Sequence, residues 1–375
     1  MRFSTLILKN LLNRPTRSLL TVVGLAIGIA AVVALMGIAA GFERSFLSLY
    51  SSKGIDLVVV RGGISNQLSS TLEQQLGDRL ARFPGVRRVG RSLVDTVAFE
   101  DKNLVSVLIN GWERDSLMME GIRVVEGRVL QPGDDRSAML GRVLARNLDK
   151  KPGDMLDVAG EPFLVIGTFE SPSLFENGGL IIPLPTLQRM MGRQGQVTAF
   201  LLATAAPENS AAITALGHEI EAAVPGVAAV PARDFVERDL QIRLARAMAW
   251  STSLIALVVG SIGILNTMVA AVYERTGEIG VLRAIGWTRR RVLRLILGES
   301  LALGLMGSIV GVLLALVGVR LILLAPTARS FIDPNLDATS LLMGLALGLA
   351  LSLVGGLYPA LRAARLEPTE ALRYE

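Results

Sequence analysis

The chain has 375 residues, of which 51% are hydrophobic and 19% charged, with a formal net charge of +5. Soluble domains carry roughly 25% charged residues, so this composition fits a membrane protein better than a soluble one. There is no cysteine and a single histidine, His218, which excludes disulfide or thiolate chemistry and a histidine-rich metal site within one chain.

Four stretches carry no charged side chain: residues 18–42, 247–273, 300–319 and 338–361. A bilayer core about 30 Å thick needs roughly 20 helical residues to cross it, and each stretch supplies that. The expected fold class is a membrane α-helical bundle of four transmembrane helices in a 1 + 3 layout, with an inserted extracytoplasmic α+β domain. The predicted domains are 1–42, a cytoplasmic N-terminus with the first transmembrane helix; 43–246, the insert with its stalk helices; and 247–375, three transmembrane helices with a cytoplasmic loop at 274–297 and a cytoplasmic tail. Ala39-Ala40-Gly41 resembles a signal-peptidase site, but a secretory h-region runs about 7–15 residues, so a retained span is expected.

Basic residues cluster near the N-terminus (Arg2, Lys9, Arg14, Arg17), in the loop after the second span (Arg275, Arg283, Arg289, Arg290, Arg291, Arg294) and in the tail (Arg362, Arg365, Arg373). The insert, taken with the short loop of Arg320 and Arg329, is slightly acidic. The positive-inside rule then predicts cytoplasmic termini and a cytoplasmic second loop, with the insert outside. That describes a multi-pass membrane protein with an extracytoplasmic domain. The basic excess is a topology signal, and no nucleic-acid partner is expected.

Within the insert, Phe42, Phe46 and Leu49 share a helical face and extend the first span as a stalk. Val236, Leu240 and Leu244 recur every four residues and predict a matching stalk into the second span. Residues 55–60, 104–110 and 163–168 are rich in β-branched side chains and predict strands. Pro132-Gly133, Pro152-Gly153 and Gly178-Gly179 mark turns. A helical pattern at 72–83 ends in Pro84-Gly85-Val86, and another at 211–224 ends in Pro225-Gly226-Val227, each preceded by a strand. Two such β-α-β units around a middle segment predict a ferredoxin-like lobe with a β-rich subdomain inserted at about 113–191. No Gly-x-Ser-x-Gly elbow, His-Glu-x-x-His or partner for His218 is present, so no catalytic residue is expected, and no cofactor or metal is expected on this chain.

The first span holds Gly24 and Gly28, then Gly37 and Gly41; the third holds Gly307 and Gly311. Such faces let helices approach closely, either within one bundle or between two copies. Asn266 is the notable polar group of the second span and suits an interhelical hydrogen bond. No span has an ionisable residue at mid-depth, and Glu299 lies at a cytoplasmic edge, so a charge-lined conduit is not expected. In the loop, Ile279, Leu282 and Ile285 lie three apart on a short helix ended by Gly286, with Glu278 and Arg283 on its other faces. A surface helix of this kind suits docking in a partner's groove, or rests on lipid with Trp287 and Arg289 to Arg291 at headgroups.

The run 260–268 (GSIGILNTM), then Glu274-Arg275-Thr276-Gly277-Glu278-Ile279-Gly280, then Arg283-Ala284-Ile285-Gly286, then Glu299-Ser300 resemble the signature of MacB/FtsX-like ABC transporter permeases. The tail, Tyr358-Pro359-Ala360 and Pro368-Thr369-Glu370-Ala371-Leu372-Arg373-Tyr374-Glu375, is similar to that family's C-terminus. The resemblance implies that residues Glu274, Arg275, Glu278, Ile279, Gly280, Leu282, Arg283, Ile285 and Gly286 form the coupling helix that receives the motion of an ATPase. It implies a homodimer, or pairing with a related permease, above two copies of a separate ABC ATPase subunit carrying ATP and magnesium. The short N-terminal segment and the lack of a Gly-x-x-x-x-Gly-Lys-Ser/Thr loop lead to the same expectation of a separate ATPase. The resemblance also implies a bacterial inner membrane, with the insert periplasmic or extracellular, and raises a periplasmic adaptor or outer-membrane partner. The implied activity is mechanotransmission: ATP-driven movement of the outer domain that exports or releases a lipophilic or secreted substrate such as a lipoprotein, lipid or antibiotic. The alternative is an FtsX-like signalling subunit that activates a cell-wall hydrolase and moves no cargo.

Overall fold

The computed structural model describes residues 10, 15–64, 67–325, 328 and 336–366. Arg2, Lys9, Arg14, Arg329, Arg373, the acids Glu367, Glu370 and Glu375, and the tail motif from Pro368 lie outside the described residues. In chain order the elements are α1 (Pro15–Ser51), β1 (Leu57–Arg61), β2 (Leu72–Glu73), α2 (Leu76–Leu80), β3 (Val86–Phe99), β4 (Leu104–Trp112), β5 (Arg123–Gly127), β6 (Ser137–Gly141), α3 (Arg142–Leu148), β7 (Met155–Val158), β8 (Glu161–Glu170), α4 (Leu174–Asn177), β9 (Leu180–Pro183) and α5 (Leu184–Met190). Then follow β10 (Gln196–Val197), β11 (Ala199–Thr204), α6 (Ser210–Ala223), β12 (Val227–Pro231), α7 (Ala232–Arg238), α8 (Leu240–Glu274), α9 (Thr276–Ala284), α10 (Arg289–Ile322) and α11 (Ala338–Arg365). Two compact units result: residues 1–39, 246–321 and 335–375 form one, and 40–245 with 322–334 the other.

Among the described residues, four helices are long and apolar enough to cross a membrane, lying at Pro15–Ser51, Ile242–Glu274, Arg289–Ile322 and Ala338–Arg365. The 37 residues of α1 make a rod of about 55 Å, well beyond the hydrocarbon thickness. The bundle interior is built by close approach rather than by bulk. A Cβ on Gly307 would stand 2.6 Å from Leu25 Cδ2, and one on Gly311 would stand 2.8 Å from the Ala26 carbonyl, so α10 lies directly on α1. Gly28 faces the Ala256 carbonyl of α8 at 3.7 Å. Gly37 lies against Leu336 and Ser340, Gly41 is buried, and Gly24 has open space in front of it.

A second small-residue pairing was not anticipated. Ser300, Gly304 and Ser308 on α10 oppose Gly356, Ser352 and Gly348 on α11 in antiparallel register. The Ser300 hydroxyl donates to the Ser352 carbonyl, and the Ser308 hydroxyl donates to the Gly304 carbonyl at 2.6 Å, so the polar groups are satisfied in the seam. Its signal is legible in retrospect as small residues every four positions in both spans. Gly304→Leu is expected to destabilise the bundle by about 3 kcal/mol or more, because the side chain meets Ser352 and the Gly348 carbonyl. Gly318→Leu, where the space is open, serves as the control in thermal melts of the detergent-solubilised chain.

The second unit is organised around a ten-stranded sheet with strand order β12-β1-β11-β3-β4-β9-β6-β8-β5, β7 pairing with β8. Its first four strands are all antiparallel and place the fourth strand of the repeat beside the first, the ferredoxin-like order. The two Pro-Gly turns serve equivalent places, ahead of β3 and β12, with Gly85 at φ 92° and Gly226 at φ 84°; these left-handed values favour glycine. The inserted β-rich segment is not a separate sheet. It continues the same one through the parallel pair β4 and β9, with Ile109 opposite Leu180.

Alternate strand residues feed two cores. Leu57, Val59, Leu93 and Ile109 face one core with Leu144, Leu187 and Ile220, whereas Val58, Val60, Trp112 and Phe169 face the other with Tyr50 and Val236. Phe42 and Phe46 meet Phe175 edge-on at 4.9 and 4.8 Å, as their shared face predicts. The C-terminal end of α1 is anchored by the Leu174 backbone amide, which donates to Ser45 Oγ at 2.8 Å, and by the Ser173 hydroxyl, which donates to the Ser45 carbonyl at 3.0 Å. The second stalk differs from expectation. Asp239 (φ −57°, ψ 129°) breaks it between α7 and α8, so Val236 is buried whereas Leu240 and Leu244 are exposed. The helix expected over 72–83 contracts to α2 because Leu72 and Glu73 pair with β10.

Candidate functional site

The loop between α8 and α10 folds as the nine-residue helix α9, joined to α8 through Arg275 and closed by Gly286 at φ 98°. The Gly286 amide donates to the Arg283 carbonyl at 3.1 Å and the Trp287 amide to the Leu282 carbonyl at 3.0 Å, which satisfies the last turn. Only an achiral residue turns here without strain.

Two ion-pair systems tie this helix to the rest of its unit. Arg275 donates from Nη1 to Glu299 Oε1 at 3.0 Å and from Nε to Glu278 Oε2 at 3.0 Å. Asn10 Nδ2 adds a bond to Glu299 Oε1 at 2.6 Å. The Arg275 and Glu299 side chains are 17% and 6% exposed, so this pair is largely removed from water. One residue earlier, Glu274 accepts two bonds from Arg17 of α1, one at 2.9 Å. Tyr273 lies under the Arg362 guanidinium at 4.5 Å, a cation–π contact with α11. The end of each spanning helix is thereby attached to the segment that begins α9.

The face left open differs from the one the three-residue spacing predicts. Ile279 is 2% exposed and packs into the bundle with Met268 and Val292. Gly280 is also buried and Leu282 is half-buried, whereas Ile285 is 70% exposed. Each residue turns a helix by about 100°, so positions six apart diverge by about 120° and Ile279 and Ile285 cannot share a face. The outward surface is instead Gly277, Glu278, Val281, Ala284 and Ile285, at the spacing of one helical stripe. Arg283 does not belong to it: Nη1 donates to the Trp287 carbonyl at 3.3 Å. Arg275, likewise expected at the docking face, is spent on internal bonds. Val281 is an outward apolar residue that the three-residue spacing does not reveal.

Asn266 lies on the exposed surface of α8. The interhelical hydrogen bond expected of it is made by Thr267, one position and about 100° further round, whose hydroxyl is 2.9 Å from that of Thr21 on α1. His218 is solvent-facing, with Nδ1 3.6 Å from Glu221 Oε2. Among the described residues no cluster of three or more histidine, cysteine or acidic side chains is arranged to hold a metal ion.

Residues 18–223 match the MacB-like periplasmic core domain, and residues 250–368 match the FtsX-like permease C-terminal domain. The macrolide export ATP-binding/permease protein MacB of Agrobacterium fabrum is 28% identical over 95% of this chain and 58% of its own length. The chain thus spans somewhat over half the length of that relative. The ABC transporter permease YknZ of Bacillus subtilis is 24% identical over 98% of both chains. The solved periplasmic region of MacB from Actinobacillus actinomycetemcomitans covers 50% of this chain and 94% of its own, at 16% identity and a TM-score of 0.38. With one domain match spanning more than half of the chain and a second most of the remainder, this protein belongs to the MacB/FtsX-like family of ABC transporter permeases.

Proposed function

We propose that the chain is the membrane subunit of an ABC transporter in a cytoplasmic membrane, with α9 and both termini on the cytoplasmic side. The ATP hydrolysis that drives it resides on a separate ATPase subunit, two copies serving two permeases. The observation that carries this reading is the outward stripe of α9, with two exposed apolar side chains and one carboxylate on a helix braced to three of the four spanning helices. Such a stripe fits a groove in which apolar anchors give affinity and charge sets register. The match of this chain to a relative named a permease supports that reading. Nucleotide closure on the partner would push α9, and the bundle would pass that displacement to the outer domain, driving export or release of a lipophilic or secreted substrate. ATP would shift the balance only to the extent that it binds one arrangement better than the other. Asn266, polar and outward on a span, suits contact with a second permease.

The purified chain in nanodiscs is expected to show no ATP turnover, and addition of its ATPase is expected to yield turnover that depends on the permease. Substantial hydrolysis by the chain alone would overturn the assignment.

A further inference from the structure

Gly286 separates α9 from a cluster of positive charge at the start of α10. Arg289, Arg290, Arg291 and Arg294 are all exposed there, within about two helical turns. Among the described residues none of the four is held in an ion pair. Arg17 and Arg275 of the same unit, by contrast, are committed to Glu274 and to Glu278 and Glu299. Like charges at helical spacing repel one another, so the cluster is unfavourable in the isolated chain and is relieved by an anionic counterpart.

The residues further along the same face decide which counterpart fits. Each residue turns a helix by about 100°, so Arg290, Arg294 and Arg291 fall within an arc of about 100° on α10. Leu301, Leu305 and Ile309 fall in that same arc. Leu305 and Ile309 are 46% and 48% exposed, and Leu301 is half-buried. The opposite side carries Val292, Leu295, Ile296, Glu299 and Leu303, all buried in the bundle. The guanidinium groups therefore crown the outward face of a spanning helix, not the face packed against its neighbours. From Arg294 to Leu305 the helix rises about 16 Å, close to the depth of one leaflet in a hydrocarbon core about 30 Å thick. An acidic protein surface would satisfy the arginines and leave the apolar strip uncovered. A phospholipid covers both, and the guanidinium fork matches phosphate oxygens bidentately. Trp287, half-buried one turn before Arg290, adds an indole of the kind favoured at headgroup level.

We propose that this outward face of α10 is a binding site for an anionic phospholipid, its phosphate held by Arg290, Arg291 and Arg294 and its acyl chains along Leu301, Leu305 and Ile309. The site rests on α10 spanning a bilayer and not on the docking of an ATPase at α9.

The test uses the full chain in dodecylmaltoside without ATPase, with bound lipid followed by native mass spectrometry. Dioleoylphosphatidylglycerol, dioleoylphosphatidylcholine and soluble glycerol phosphate are titrated in parallel. Phosphatidylglycerol is expected to bind saturably and about tenfold tighter than phosphatidylcholine. Glycerol phosphate, which has no acyl chains, is expected not to bind measurably. The triple variant Arg290→Gln, Arg291→Gln, Arg294→Gln is expected to bring phosphatidylglycerol down to the phosphatidylcholine level. Its counterpart Arg290→Lys, Arg291→Lys, Arg294→Lys keeps most of the preference, and Arg320→Gln, at the far end of the same helix, leaves it unchanged. Should the triple glutamine variant fail to insert, Arg294→Gln alone decides, with an expected loss of about fivefold. Equal binding of the two lipids, or an unchanged preference in Arg294→Gln, would overturn the proposal. Binding of glycerol phosphate as tight as that of phosphatidylglycerol would make this a free-phosphate site and overturn it too. An unchanged preference in the triple glutamine variant, together with loss of ATPase co-purification, would make the cluster a protein contact instead.

Discussion

Replacing Ile285 by arginine is expected to cut permease-dependent ATPase turnover by about tenfold or more while the chain still inserts and folds. Ile285 is 70% exposed and Val281 48% exposed, and neither contributes to the buried core of the bundle. A charge there has little effect on the isolated subunit, since surface substitutions away from packed features stay within about 0.5 kcal/mol. In a partner's groove the same charge must be desolvated at the centre of an interface, where a few anchors carry most of the affinity and each commonly costs about 2 kcal/mol when lost. Val281→Arg is expected to act alike, and the pair less than additively, since both anchors occupy one groove. Permease-stimulated hydrolysis and co-purification of the ATPase are the measurements. Full coupling in the Ile285→Arg, Val281→Arg double variant would show that the ATPase docks elsewhere.

The second large effect concerns the Arg275–Glu299 pair. Glu299→Met leaves the Arg275 guanidinium largely buried, with Glu278 as its remaining carboxylate, and is expected to cost about 3 kcal/mol of stability. Replacing both partners, Arg275→Met with Glu299→Met, removes the uncompensated charge and is expected to restore most of that stability. It does not restore the tether between α9 and α10, so stimulation of the ATPase should stay low in the refolded double variant. Melting temperature and coupled turnover therefore separate. Wild-type coupling in the double variant would reduce the pair to a packing device.

The spans were legible because a charge-free run of the right length has few soluble uses, and the ferredoxin-like order was legible because Pro84-Gly85 and Pro225-Gly226 punctuate two equivalent units. Three features were not. The outward face of α9 depends on helical phase, and the spacing of Ile279, Leu282 and Ile285 drifts across it until the first is buried and the last exposed. The roles of Arg275 and Arg283 depend on reach: one side chain finds Glu299 on α10, and the other finds the Trp287 carbonyl. The merging of the inserted segment with the main sheet depends on a parallel pairing between β4 and β9, which are separated by more than sixty residues in sequence; no local pattern announces a partner so distant.

That seam between β4 and β9 also bears on the stiffness of the strand-rich unit. Bending the slab there would break main-chain hydrogen bonds and pull apart the cores packed on its opposite faces, so the ten strands should resist deformation as a single plate. Any flexing is then left to its margins.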